Sequence, residues 1–441
     1  MKSPESLFLT SYISESKIDE ITKRNGEPEW IKTRRLEAFK KFKELPIDQD
    51  NLFYKYTDFK NFDPEKLKPF WEMEVEEIPS TQSLKIAEMT PTFVESVEKV
   101  EISLGHELKE DSVFLGTLGQ LASQNENLAK KIVEEVSETM DFDKLGNLAT
   151  AYSAHTLVLF VPKNFRSEKP ILKTTLLSGI NVAMFSEFIV YLSEGSEIVL
   201  VEDYRSLEKA DEEQLFMMSQ SIVVKDNSRL KHIQIQDWNN QTVHVTAKLT
   251  KLQSYANYTS YFLLQGGEMT RINSKILLEG RGAEGYDLFA QFGIGNQRID
   301  VKSELVHIAE DTIGQTHSRT VVVDRAESVL RGLIHIPKSG KNADSWLTSH
   351  GLTVGRGSVT AIPALMIDQN EVVAAHSAAV EPLNQEKLFY VESRGIPKEE
   401  AKAILIKGYF EPLSKFIPNE DLKEYIRNKI SEKWDDYSES N

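Results

Sequence analysis

Hydrophobic residues recur with two different spacings along this chain, and the change-overs divide it into three regions. Over residues 1–150 the spacing is mostly helical. In EPEWIKTRRLEAFKKFKELP, Leu36, Phe39 and Phe42 fall on one face between flanking Lys and Arg, and Pro46 predicts the stop. SVFLGTLGQLASQNENLAKKIVEEVS sets Leu115, Leu118, Leu121, Leu128, Ile132 and Val136 on one side, which predicts a second long helix. Between them, NLFYKYTDFKNFDPEKLKPF is aromatic and irregular, the pattern of a loop or short strand.

Over residues 151–380 short apolar runs follow one another: LVLFV, EFIVYL, EIVLV, SIVV, LKHIQI, KILL, SELVHI, RTVVV and LRGLIHI. Small or acidic turn residues separate them, as in SEGSE and EGRGAEG, and this spacing predicts strands. The Asn-Gly and Asp-Gly pairs that serve two-residue hairpins are absent here. Closely spaced strands without tight hairpins predict a coil of stacked turns, each burying its apolar side on the next, although no strict sequence period runs through it. The Gly266-Gly267 pair predicts a bulge or tight corner.

Over residues 381–441 helical spacing returns. LNQEKLFYVESRG reads as a helix closed by Gly395, with Ile396 set to meet Val391, and Pro397 predicts the first residue of the next helix. That helix carries a stripe of Ala401, Ile404 and Leu405. A last helix, NEDLKEYIRNKISEKW, precedes a polar tail, DDYSESN, expected to lack order.

Charge and composition narrow the partners. A net charge of −16 repels phosphate backbones and anionic membrane faces, so neither nucleic acid nor a membrane is expected. Neither a signal peptide nor a long apolar span is visible, which predicts a cytoplasmic protein. With 0 cysteines, the chain has no thiolate ligand or nucleophile of its own. No phosphate-loop, dinucleotide, zinc-protease or nucleophile-elbow motif occurs, which favours a partner subunit over an enzyme.

Candidate chemistry lies late in the chain. His307, His317, His335, His350 and His376 could share a face of a stacked coil and hold a metal, or be scattered singly, each satisfying local hydrogen bonds. His376 stands among alanines, VVAAHSAAV, where small neighbours let backbone approach and leave the imidazole protruding. Glu310 and Asp311 read as a solvated turn, and Arg319, Arg325 and Arg331 as braces for acidic turns.

HSAAVEPLNQEKLFYVESRGIPKEEAKAILIKGYFEPL resembles the closing signature of the SufB/SufD family of the Suf iron–sulfur cluster assembly system. EPEWIKTRRLEAFKKF, FVPKNFRSEKPI, FIVYLSEGSEIVLVEDY, LLQGGEMTRIN and LRGLIHIPKSGKNADSW agree in order and spacing across nearly the whole chain. The resemblance implies a mainly β fold, a right-handed parallel β-helix flanked by N-terminal and C-terminal helical domains. It implies a non-catalytic scaffold subunit that pairs with a SufB-like paralogue through the β-helix. It also implies that the ABC-type ATPase SufC docks on the C-terminal helices, at Leu388, Phe389, Tyr390, Arg394, Gly395, Lys402 and Lys407. Lacking cysteine, and with Ser377 where SufB-type chains have Glu, the chain looks most like SufD. His376 is then the one ligand carried over, facing SufB: it either helps hold a transient iron or iron–sulfur cluster there or packs in the interface. No cofactor is expected to stay bound to this chain alone. Two other readings compete: a homodimeric scaffold without SufB, and a carbohydrate-active β-helix enzyme, which the negative charge disfavours for acidic polymers.

Overall fold

A computed structural model describes residues 8–47, 59, 62–73, 79, 81–97, 99–103, 113–137, 142–207 and 213–439. Half of the irregular aromatic segment after Asp50 and the last two residues of the polar tail lie outside this set.

The central region is a β-solenoid of about eight turns, each contributing one strand to each of two parallel sheets. The first sheet holds β5 (Thr156–Val161), β7 (Val182–Leu192), β9 (Gln214–Val224), β11 (Thr242–Leu252), β13 (Met269–Leu278), β15 (Arg298–His307), β17 (Glu327–Ile336) and β19 (Ser358–Ile367). The second holds β6 (Ile171–Leu177), β8 (Glu197–Ser206), β10 (Arg229–Asp237), β12 (Asn257–Leu264), β14 (Glu284–Gly293), β16 (Ile313–Asp324), β18 (Asp344–Gly355) and β20 (Val373–Pro382). One turn advances by a variable length: Val243 pairs with Met269, but Arg229 pairs with Glu197. That drift explains why the sequence shows no strict period.

Corners repeat where strands repeat. Asn164, Gly195, Asn227, Tyr255, Gly282 and Asp311 all take positive φ at equivalent corners. The N–H of each reaches the carbonyl of the next turn, as from Asn227 to Ser254 at 2.9 Å and from Gly282 to Glu310 at 3.1 Å. Gly266-Gly267 makes the expected tight corner: a Cβ on Gly266 would stand 2.2 Å from the Trp238 nitrogen.

Several strands went unread in the sequence, among them β11, β14 and β18. Their inward-facing positions are often polar, for example His244, Thr246 and Lys248 in β11, and this breaks the apolar alternation.

The N-terminal region is less helical than its pattern predicted. It has helices α1 (Glu15–Arg24), α2 (Glu29–Glu44), α3 (Leu118–Gln124), α4 (Glu126–Ser137) and α5 (Lys144–Tyr152). It also has strands β1 (Lys68–Pro69), β2 (Phe93–Ser96), β3 (Val100–Ile102) and β4 (Phe114–Thr117). The single long helix expected over Val113–Ser137 is therefore three elements. Leu115 lies in β4, a Thr117–Gln120 capping box starts α3, and Asn125 accepts from the Leu128 N–H at 3.1 Å to start α4. At this end each sheet stops on an antiparallel strand, β3 beside β2 and β4 beside β5.

Both outer faces carry helices. Helix α5 is buried along its whole length against the first sheet, and Gly146 lies so close that a Cβ there would be 2.6 Å from the Ala247 Cβ. Arg34 of α2 forms a buried ion pair with Glu187 of β7. On the second sheet lie α6 (Gln385–Glu392), α7 (Lys398–Ser414) and α8 (Glu420–Glu439), whose core includes Leu288, Phe292 and Val321. Three details differ from expectation. Pro397 caps α7 instead of opening it, Asp435–Glu439 is helical, and the buried face of α7 is Ala401, Ala403, Ile406, Phe410 and Leu413, with Ile404 exposed.

Candidate functional site at the open end of the solenoid

Stacking in register keeps each column of side chains on one face of its sheet. One column of the second sheet runs Leu200, His232, Ser260, Asp287, Thr316, Leu347 and His376. Its first members face the lumen and are buried, so His376 heads a lumen column; it is exposed because β20 is the last strand of its sheet and no described residue stacks above it. Facing the same opening are Val359, Ala361, Pro363, Leu365 and Ile367 of β19 and Ala374, Ala378 and Val380 of β20. Leu365, Ile367 and Val380 are 38%, 39% and 47% exposed. Among the described residues the end face is thus apolar, with a single imidazole and two strand edges that carry no partner strand.

Beneath it Leu347 closes the lumen. It fills the space opposite Gly332, where a Cβ would meet its Cδ1 at 2.0 Å. Deeper still, the lumen is polar. Lys173 donates to Glu95 at 2.9 Å, lies 3.7 Å from Glu202, and faces the rings of Phe93, Phe188 and Tyr204. His232 donates from Nε2 to Glu202 at 2.6 Å and accepts at Nδ1 from the Tyr258 hydroxyl at 3.1 Å. That tautomer follows because a carboxylate can only accept. Burial raises the Glu202 carboxyl, but the His232 hydrogen bond and the Lys173 charge outweigh it and hold the group at about 2. Further along, Lys248 faces Asp287 at 3.4 Å, and Ser303 links Asp287 to Thr316.

The other late histidines do not join His376. His307 is buried in β15 on Thr312, and burial pushes it down to about 4. His317 points outward from β16, held by Thr348 at 2.6 Å and Gln315 at 2.9 Å under the Phe416 ring, and burial first, then the Lys415 and Arg319 charges, push it to about 4. His335 lies on β17 and His350 on β18; burial first, then the Arg319 charge, lowers His350. Among the described residues no three His, Asp or Glu side chains are grouped to hold a metal ion.

The acidic-turn readings divide. Asp311 meets Arg281 and Asn342 at an exposed corner. Arg325 meets Asn296, Arg331 forms a buried pair with Asp300, and Arg319 lies over the Tyr409 ring, so none of the three braces an acidic turn as expected.

On the C-terminal helices the predicted docking residues separate. Phe389 and Tyr390 are 70% and 60% exposed, and Arg394 stacks on Tyr390 while donating to its hydroxyl at 2.9 Å. Gly395 takes φ 85° and ends α6, as its sequence predicted. Leu388, by contrast, is buried in the helical core and has no surface to offer. Lys402 is engaged by Glu399 at 2.7 Å beside the Trp434 ring, and Lys407 is half-buried, so neither is the open surface lysine expected.

Fold and site together define a β-solenoid protein whose exposed chemistry sits on an end face and on a helical face. The model of the SufBD core domain of SUF-system FeS cluster assembly matches residues 175–409, and that of the SufBD protein N-terminal region matches residues 10–172. The chain therefore belongs to the SufBD family. It is similar to an iron-sulfur cluster assembly SufBD family protein of Staphylococcus saprophyticus, 25% identical over 421 residues that cover 92% of this chain and 90% of the relative. A protein of the same description from Staphylococcus aureus matches with the same identity and coverage. No described helix is long and apolar enough to cross a membrane.

Proposed function

We propose that the chain is the SufD-type, non-catalytic subunit of a cytoplasmic iron–sulfur cluster assembly scaffold. It pairs with a SufB-like paralogue through the open end of the solenoid and receives the ATPase SufC on its C-terminal helices. The observation that carries this reading is the end face itself: exposed Leu365, Ile367 and Val380 beside two unpaired strand edges, which water solvates poorly and a partner's strands would complete.

Chemically, such a subunit lends position. The cluster is the assembly's product, and its thiolate ligands must come from the partner, since this chain has 0 cysteines. His376 offers one imidazole nitrogen on that face, a donor suited to borderline iron. Phe389 and Tyr390, the latter stiffened by Arg394, supply rigid aromatic anchors for the ATPase.

Co-expression with the SufB-like and SufC chains of the same organism tests the reading by stoichiometry. A heteromeric complex containing all three is expected. A stable homodimer that excludes the SufB-like chain would replace it with the self-sufficient scaffold. Within the complex, His376→Ala separates ligand from filler: reduced cluster yield with an intact complex is expected, and unchanged yield leaves only a packing role.

A further inference from the structure

Side-chain ties between successive turns are unevenly distributed along the solenoid. In the lumen they run from Glu95 through Lys173, Glu202, His232 and Tyr258, and resume at Lys248, Asp287, Ser303 and Thr316. There they stop. Outside, the C-terminal helices clamp the middle turns. Lys433 of α8 donates to the carbonyls of Gln265 and Phe292 and to the Gln297 side chain, and Lys429 pairs with Asp237 at 3.1 Å. The turn before the last keeps ties of its own, Arg331 to Asp300 and Thr348 to His317.

The last turn has little of this. No residue of β19 or β20 is buried. None belongs to the two large cores, and Ala374 only flanks the small cluster of Ile334, Ile336, Ala343 and Leu347. Its backbone pairs on one side alone. Its side-chain ties to the preceding turn are an exposed ion pair, Lys341 with Glu371 at 3.2 Å, and the Gln369 amide on the Lys338 carbonyl at 2.8 Å. Exposed pairs of that kind contribute about 0–1 kcal/mol.

We infer that the last turn, residues 358–382, is a separately opening unit, and that a partner seated on the end face orders it. Backbone pairing without buried side chains makes an element that exchanges with solvent by local opening, not by global unfolding. The consequence rests on the pairing proposed above: association at this face carries an ordering penalty, which pre-forming the turn would remove.

Hydrogen exchange on the free full-length chain reads this directly. Amides of β19 and β20 are expected to be protected on the order of 100-fold less than those of β9 to β14. Equal protection overturns the inference. A second arm exploits the missing cysteines. Ser345 and Ala374 are direct partners across β18 and β20, so S345C/A374C can form a single, unambiguous disulfide. Oxidation is expected to raise protection across 373–382 toward that of the inner strands, and reduction to restore the loss; no change on oxidation overturns the inference. Addition of the SufB-like chain distinguishes the two proposals. A complex that newly protects 358–382 supports both, a complex formed by a turn already protected in the free chain sinks only this one, and absence of any complex sinks only the pairing.

Discussion

The two ends of the solenoid are built from the same repeating turn and finished in opposite ways. At the N-terminal end the sheets stop on antiparallel strands, the lumen is locked by Lys173 between two carboxylates, and helices α1, α2 and α5 share a core with the first turns. At the C-terminal end both strands keep a free edge, the lumen-facing side chains are apolar, and the lone titratable group among them is His376. A parallel stack has no natural stop, so each end must be blocked or used. The contrast teaches how the two ends differ physically: ionic chemistry is spent where it is fully buried, and apolar surface is left exposed at the end proposed above to receive a partner.

The sharpest way to break this contrast is to unlock the closed end. Lys173→Met leaves Glu95 and Glu202 buried without their shared cation and is expected to destabilise the chain by about 3–5 kcal/mol, seen as a lower urea midpoint. Acid should act on the same place. Because the Glu202 carboxyl lies at about 2 when folded, well below the ordinary glutamate value of about 4.5, the unfolded chain binds the proton more tightly. Stability is therefore complete above about 4.5 and is lost as pH falls toward 2, by on the order of 3 kcal/mol from this group, measurable in denaturant titrations at stepped pH.

Smaller effects are expected from the open end. Leu365→Asp places a charge on the apolar face without touching the core. Stability should stay within about 0.5 kcal/mol, while association with the SufB-like chain weakens on the order of 100-fold by calorimetry. Phe389→Ala removes one exposed aromatic from the helical face, and a loss of SufC affinity of about tenfold, with SufB pairing intact, is expected.

Much of this was legible in the sequence because it depends on local pattern. Apolar runs without hairpin turns marked the stacked coil, and Gly395 marked the end of α6. The family resemblance implied that His376 faces a partner, and the structure leaves that side chain exposed on the end face. Other features were not legible, for stated reasons. Leu388 and Ile404 exchanged their expected roles because the face a helix buries is set by what it lies on, here the second sheet. The strands β11, β14 and β18 escaped notice because lumen positions carry Lys248, Asp287 and Ser349, which are polar yet buried.

The sequence by itself determined the order of textures, the absence of thiol chemistry and the family, since each is carried by residue type and local spacing. Only the tertiary structure decided which residues share a column. His376 stands above His232 and Asp287 through turns of unequal length, from 27 residues between Ser260 and Asp287 to 31 between Thr316 and Leu347. No fixed spacing encodes such a column. Register is chosen by burial and corner geometry over the whole stack, and that is why the open end, and the imidazole in it, could be located only once the turns were coiled.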